Sequence, residues 1–497
     1  MQTFSRPRQS SLDSAVALVN VLSKLVLLFS LTFLVPIAVS LVTHDGVLWA
    51  FVQGAAIALG VGLVGVWVTR GHSAELFPRD GFLLVILCWG ALVGLGSLPI
   101  AFAMEDLRGW QAFFEAMSSL TKTGATVLTG RDAAPRSILA WRSLLQWLGG
   151  MGILVLAVAI LPLLGVGGMQ LYKAETPGPM KDTKLTPRIT ETAKGFWGLY
   201  LLFSLACAVS YWAVGMDWFD AFIHAGTTMS IGGLSSYDAS LGQFQSLGVE
   251  LVAIVFMMIA GVNFAVHFSA VRSGSMKPYL RCPEARWFVM AVSAGVFVVT
   301  LVLWSEQTYS TFWEALRAAA FNVVSISTTT GYATQDYAAW PVFAPWLMIL
   351  LAAFATCSGS TGGGIKMIRL VIMAKLAQQE LAKIIHPRLV NPVSIARGTS
   401  VGHNVIFAVL AFMLVYGFTV MAATFCLLLS GMDDVTAISA VLACVNNLGP
   451  GLNEVGPAGN YSGLTDFQLA VLSFTMMLGR LELLTVVVLF SPAFWRR

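Results

Sequence analysis

The chain has 497 residues, 57% of them hydrophobic and only 11% charged, with a mean hydropathy of +0.78 and a formal net charge of +4. That balance excludes an ordinary soluble globular protein and puts most of the chain in lipid. The basic residues are scattered over loops, which gives a nucleic-acid surface no support, and no polar stretch is long enough to bury the core of a soluble domain.

The polar, basic start, MQTFSRPRQSSLDS, leads into an apolar run too long for a signal-peptide core and lacking a small-residue cleavage site, so it reads as a retained first helix. A membrane crossing needs about 20 apolar residues. Such runs lie near 17–42, 47–69, 81–104, 138–165, 196–216, 246–270, 287–305, 342–373, 403–430 and 467–493, which predicts about ten spans. Lys and Arg gather at 166–195 (Lys173, Lys181, Lys184, Arg188, Lys194), 271–286 (Arg272, Lys277, Arg281, Arg286) and 374–402 (Lys375, Lys383, Arg388, Arg397), whereas 217–245 and 431–465 hold none. The positive-inside rule makes the first group cytoplasmic. Both termini, with Arg6, Arg8, Arg496 and Arg497, then also fall inside, as an even number of spans requires. Arg108, Lys122, Arg131 and Arg136 dissent, because they lie in a segment expected outside. The six cysteines form neither a disulfide framework nor a CxxC metal pair.

Between the long runs a pattern recurs four times: a short, mostly apolar stretch, then Ser, Thr, Asn and Gly. The segments are FFEAMSSLTKTGATV (113–127), AFIHAGTTMSIGGLS (221–235), AFNVVSISTTTGYAT (320–334) and AVLACVNNLGPGLNE (440–454). Alignment on Gly124, Gly232, Gly331 and Gly449 places Phe114, Phe222 and Phe321 ten positions earlier, with Ser439 in the fourth copy. The stretch before each glycine is about half of what a crossing needs, which suits a re-entrant half-helix. Non-helical backbone survives at membrane depth only when buried in protein or lining a watery cavity, so four such segments are expected to converge on one pore.

Rings of backbone carbonyls can replace the hydration shell of a cation without trapping it on a full negative charge. Aiming successive carbonyls at one axis demands φ > 0 at some residues, which favours glycine. Flanking Thr and Ser hydroxyls can hold such a loop by local hydrogen bonds. A half-helix running inward turns the negative end of its dipole toward the ion. The candidate cation site is therefore Lys122, Thr123 and Gly124; Ser230, Ile231 and Gly232; Thr329, Thr330 and Gly331; and Asn447, Leu448 and Gly449, acting mainly through main-chain oxygens.

On these segments, together with GSTGGGIKMIRL (359–370) and LGRLELLTVVVLFSPAFW (478–495), the chain resembles the Trk/Ktr/HKT superfamily of K⁺ transport proteins, and within it the TrkH-type membrane subunits. The resemblance covers nearly the whole chain and implies an all-α membrane protein that is not an enzyme, with K⁺ as the transported ion. It implies a two-helix leader at 1–78 and four helix–pore-loop–helix units at 79–170, 171–280, 281–395 and 396–497 in pseudo-fourfold array. It further implies a homodimer in the bacterial inner membrane, one pore per subunit, and a cytoplasmic TrkA-type nucleotide-binding regulator. Some members of the superfamily replace the first filter glycine with serine and prefer Na⁺; all four glycines are present here, which implies K⁺ selectivity.

Lys122 departs from the small hydroxyl residue usual in the family. It is expected to point away from the pore axis, toward the outer water or to Glu115 or Asp132. By the same resemblance, Gly359, Gly362, Gly363 and Gly364 form a mobile loop beneath the filter; from residues alone, a glycine-kinked helix competes with it. A phosphate loop is excluded, since the Lys after Gly364 arrives one residue late and no Ser or Thr follows it. Arg480, a charge inside an apolar run, is expected on the pore axis near that loop as an electrostatic barrier, with a structural salt bridge as the competing reading. His224 and His267 read as packed core histidines. Glu115 and Asp220 read as cation-enriching groups at the outer mouth or as groups satisfied at half-helix ends. The segments 173–194 and 386–398 have the polar, proline-bearing character of a docking surface or of solvated loops. A serine hydrolase built on Ser358 or Ser360 with His267 lacks the nucleophile spacing. A transporter with inverted repeats is disfavoured because these repeats run in one direction.

Overall fold

The computed structural model describes residues 11–70, 78–152, 189–387, 393–396 and 399–496. Apart from a short antiparallel pair, Ser394–Ala396 with Thr399–Ser400, the regular structure of these residues is helical. Their composition dictates how the helices sit. In His403–Leu429 the residues Leu410, Leu414, Phe418, Met421, Phe425 and Leu429 recur at three- and four-residue spacing and are exposed, while Val409, Phe412, Tyr416 and Leu427 are buried. A helix with apolar residues on both faces gains by presenting one face to lipid and the other to protein.

At the start of the chain a bundle-crossing segment, 13–43, packs against Leu48–Val68. Gly65 lets the two approach closely, since a methyl group there would lie 2.0 Å from Ser23 Oγ. Phe33 and Phe29 reach Trp141 of the next unit at ring-centroid distances of 4.6 and 5.9 Å. Asp45, in the turn between the first two helices, accepts from the Ser137 amide at 2.8 Å.

Four units follow, each with a long helix, a half-helix, a glycine-bearing segment and a second helix. The long helices are Pro78–Ala103, Ile189–Ala213, Pro283–Ser305 and His403–Leu429. The half-helices are Gly109–Leu120, Trp218–Met229, Phe312–Ser327 and Asp434–Val445. Their starts are written in the sequence: Asp217, Thr311 and Asp433 accept from backbone amides in the first turn, and in the first unit Gln111 Oε1 accepts from Arg108 N at 3.0 Å. At 12 residues in three units and 16 in the third, the half-helices are about 18–24 Å long, short of the hydrocarbon thickness.

The second helices differ from expectation. Six unbroken helices are long and apolar enough to span a membrane among the described residues. The runs predicted at 246–270 and 467–493 are not straight. They form Leu247–Ala260 with Phe264–Ser273, bent by 94°, and Asp466–Arg480 with Leu483–Phe490, bent by 112°. Asn263 restarts the first pair by accepting from Ala265 N at 2.8 Å, and Glu482 takes φ +55° at the second break. The run at 342–373 divides into Phe343–Phe354 and Met367–Ile385 around the glycine-rich loop. Arg136–Met151 begins the run at 138–165, whose remainder lies outside the described residues.

The basic residues that dissented from the charge rule are held locally. Arg108 pairs with Asp466 at 2.9 Å, Arg131 pairs with Asp238 at 2.7 Å, and the Arg136 guanidinium lies 5.2 Å from the Phe219 ring.

Candidate functional site

The four glycine-bearing segments meet at one place. A methyl group on Gly124 would lie 2.2 Å from the Gly232 carbonyl oxygen, one on Gly233 2.0 Å from that of Thr330, one on Gly331 2.2 Å from that of Leu448, and one on Gly449 2.8 Å from that of Thr123. Each unit thus touches the next and the fourth returns to the first, which closes a ring in the order of the chain. The glycines at these contacts have φ of +86°, +72°, +89° and +99°, and the residues two before them, Lys122, Ile231, Thr329 and Asn447, also have positive φ. Only glycine takes the first of these conformations without strain and without thrusting a Cβ at a neighbouring carbonyl.

This geometry moves the second segment by one residue from the sequence alignment. Gly233, not Gly232, corresponds to Gly124, Gly331 and Gly449, so Gly232 aligns with Thr123, Thr330 and Leu448, and Ser230 with Thr121. The phenylalanine match that favoured Gly232 is coincidental: Phe114 and Phe321 are fully buried, while Phe222 is 53% exposed and Ile223 takes the inner place.

Each half-helix ends four residues before its glycine, so four helix C-termini point into the ring. Thr123, Thr330 and Leu448 are fully buried, yet their carbonyl oxygens accept no hydrogen bond from any described residue. Buried carbonyls are normally paired, and leaving one bare costs about 1–3 kcal/mol. Gly232 O is the exception and accepts from Gln146 Nε2 at 2.7 Å. Two cavities flank the ring. The outer one is lined by Gly124, Gly233, Gly331 and Gly449 with Asp238 and Arg131, the inner one by Asn447, Gly359–Gly364, Lys366 and Arg480.

Behind the ring, polar braces recur that residue types alone did not reveal. Glu115, His224 and Asn322 all stand nine positions before their glycine and reach the chain that descends after it. Glu115 accepts from Thr126 Oγ1 at 3.0 Å and Val127 N at 2.9 Å, and pairs with buried Arg142 at 2.6 Å. His224 contacts Ser235 Oγ at 2.9 Å, Asn322 donates to Thr334 Oγ1 at 3.1 Å, and in the fourth unit Ser439 Oγ accepts from Leu452 N at 2.9 Å. Glu115 is therefore a strut and not a group at the outer mouth. Asp220 is likewise occupied, accepting from Ser236 Oγ and Tyr237 Oη at 2.8 and 2.7 Å. His267 is a satisfied core histidine, bonded to Tyr279 Oη and Ile259 O.

Lys122 does not turn outward and meets neither Glu115 nor Asp132. It is fully buried, and its Nζ donates to Thr329 Oγ1 at 3.4 Å. The glycine-rich loop lies just inside the ring. Thr361 Oγ1 donates to Met229 O at 3.0 Å, Gly363 N donates to Thr329 Oγ1 at 2.8 Å, and Lys366 bonds the Gly362 carbonyl. Across the same cavity Arg480 bonds the carbonyls of Gly149 and Gly150. Glu482 lines the same cavity and pairs with Arg369 at 2.8 Å. The docking segments at 173–194 and 386–398 lie largely outside the described residues.

The model of the TrkH family, described as a cation transport protein, matches residues 48–497. The chain belongs to the TrkH family. This TrkH-family chain is 43% identical over 481 residues to the Trk system potassium uptake protein TrkH of Escherichia coli K12, covering 97% of the chain and 99% of that protein. It is 45% identical over 482 residues, with the same coverage of each, to the TrkH of Halomonas elongata. The solved structure titled as the potassium transporter TrkH from Vibrio parahaemolyticus superposes with a TM-score of 0.87 at 41% identity, over 97% of this chain and 100% of that one. The TrkH-family chain is thus an all-α integral membrane protein whose work is transport and not catalysis.

Proposed function

We propose that this chain conducts K⁺ across a bacterial cytoplasmic membrane through a selectivity filter made of its four glycine segments. The observation that carries the reading is the closed ring of buried carbonyl oxygens, several without a donor among the described residues, at the focus of four half-helix C-termini. Such oxygens are stable when a dehydrated cation accepts them as ligands. The filter comprises Lys122–Gly124, Ser230–Gly233, Thr329–Gly331 and Asn447–Gly449, acting mainly through the main chain. The relatives are named potassium uptake proteins, which supports K⁺ as the cargo.

Gly359–Gly364 and Arg480 act as the gate on this reading. They line the cavity inside the filter from opposite sides, and a guanidinium there raises the energy of a passing cation. The distribution of basic residues over the loops supports cytoplasmic termini. A homodimer, with one pore in each of its leader-plus-four-unit subunits, docks a cytoplasmic nucleotide-binding partner of the TrkA type that moves the gate. The test is ion flux in liposomes reconstituted with the purified protein, under K⁺ and Na⁺ gradients, with and without such a partner. K⁺ flux exceeding Na⁺ flux is expected. Equal permeation by the two ions would reassign the protein as a non-selective or Na⁺-permeable relative, and no flux under any condition would overturn the pore.

A further inference from the structure

The ring order also says which units face each other. Contacts run from unit 1 to 2, 2 to 3, 3 to 4 and 4 to 1, so units 1 and 3 lie diagonally across the axis. Lys122 belongs to unit 1, and the hydroxyl that its amine meets, Thr329 Oγ1, belongs to unit 3. A side chain joining diagonal units at the inner end of the filter has to pass through the axis or along its edge. Both residues stand two before their glycine, at the tier next to the cavity, and Thr329 Oγ1 also accepts from Gly363 of the loop beneath. Of the other residues of that tier, Ile231 is apolar, and Asn447 Nδ2 donates to Thr123 Oγ1 and Met476 O, both at 3.0 Å, while its Oδ1 has no partner among the described residues.

We infer that the Lys122 ammonium is a tethered cation that occupies the conduction path just inside the filter and competes there with the transported ion. An ammonium carries three donors, and among the described residues the amine of Lys122 has the single protein partner Thr329 Oγ1. Among the described residues no carboxylate meets it. The other cations around this cavity are bonded to main-chain oxygens or an acid, Lys366 to Gly362, Arg480 to Gly149 and Gly150, and Arg369 to Glu482, whereas the Lys122 amine meets one hydroxyl. An amine held beside Thr329 at the inner end of the ring stands where a permeant cation would leave the filter. This inference rests on the filter reading above.

A tethered blocker inside the filter has a directional signature. Ions entering from outside push the ammonium away from the filter, whereas ions leaving the cell push it in, so the wild-type protein passes inward current more readily than outward current. The experiment records K⁺ currents of wild type, Lys122→Met, Lys122→Thr and Lys122→Arg in planar bilayers at equal and opposite voltages, with the protein checked for monodispersity. The neutral variants are expected to conduct about tenfold better and to lose the asymmetry, as removal of one unit charge close to the ion path allows. Lys122→Arg keeps the charge and is expected to stay low and asymmetric. Wild-type amplitude and asymmetry in Lys122→Met and Lys122→Thr would overturn the inference and leave the filter standing. Failure of both neutral variants to fold would overturn it too, by showing that the lysine is structural. Absence of K⁺ current in every protein, wild type included, would refute the filter reading itself.

Discussion

Gly232 and Gly233 are adjacent and chemically identical, yet the structure assigns them unlike roles that alanine substitution separates. Gly233 has φ +72°, and a methyl group there would lie 2.0 Å from the Thr330 carbonyl oxygen. Adopting that conformation with a Cβ costs about 1–2 kcal/mol, and forcing apart two strands of a closed ring adds about 1–3 kcal/mol. A total near 3 kcal/mol at the filter corresponds to a loss of about a hundredfold in K⁺ flux or in discrimination over Na⁺. Gly232 carries no such backbone penalty. Its methyl group would meet the Gln146 carboxamide at 2.4 Å, a side chain able to swing away at the cost of its two hydrogen bonds, to Gly232 O and from Leu234 N, about 1–2 kcal/mol. Flux in Gly232→Ala should therefore fall by about tenfold. Because the clash is with Gln146, Gly232→Ala combined with Gln146→Ala should be no worse than Gln146→Ala alone, whereas Gly233→Ala should not be rescued by Gln146→Ala. Initial rates of K⁺ and Na⁺ flux in reconstituted liposomes read all five proteins. A tolerated Gly233→Ala beside a dead Gly232→Ala would refute the register and restore the alignment suggested by Phe222.

Removing one member of the buried Glu115–Arg142 pair leaves an uncompensated charge, so Glu115→Ala should lower stability by about 3–5 kcal/mol, and the double variant Glu115→Ala/Arg142→Met should be less unstable than Glu115→Ala; heat-induced loss of the monodisperse species in detergent measures both. Asp238 lies in an outer loop, where burial pushes its carboxyl up but the bonds from Arg131 and Gly130 outweigh that and hold it below the ordinary carboxylate value of 3.8. Its contribution is present above that value and lost as pH falls through the lower folded one, so Asp238→Asn should flatten the acid end of the stability profile, by less than about 1 kcal/mol for so exposed a pair. Arg480→Ala, and separately a shortened 359–364 loop, should raise K⁺ flux without the partner by about an order of magnitude; unchanged flux in both would remove the gate.

How much was legible follows from which physical demands leave a mark on residue type. Positive φ favours glycine, so the four filter segments stood out by residue type. The doublet at 232–233 offered two glycines for one role, and a lipid-facing phenylalanine tipped the choice. With the register set at Gly233, Glu115, His224 and Asn322 fall into one column, the signal that identifies the braces. The bends at 261–263 and 481–482 carry only one or two polar residues each, Asn263 and Arg480 with Glu482, inside long apolar runs, so window-averaged hydropathy passed over them. The direction of Lys122 depends on which units are diagonal, a property of ring closure that no local pattern encodes.

The braces and the loop also bear on how gate and filter are linked. The outer side of each filter segment is fixed by buried groups of its own unit: Glu115 with Arg142, His224, Asn322 and Ser439. The inner side is held differently. Thr361 hangs from the last turn of the second half-helix at Met229 O, and Gly363 donates to Thr329, itself a filter residue with φ +64°. Withdrawing the loop to widen the cavity must break both bonds, and the second frees the hydroxyl that also meets Lys122. On the proposed reading, gate opening and the position of the amine would be coupled through one oxygen atom. A partner that pulled on Met367–Ile385, the helix that continues from the loop, would then act on the inner mouth of the proposed filter while the braced outer mouth kept its shape.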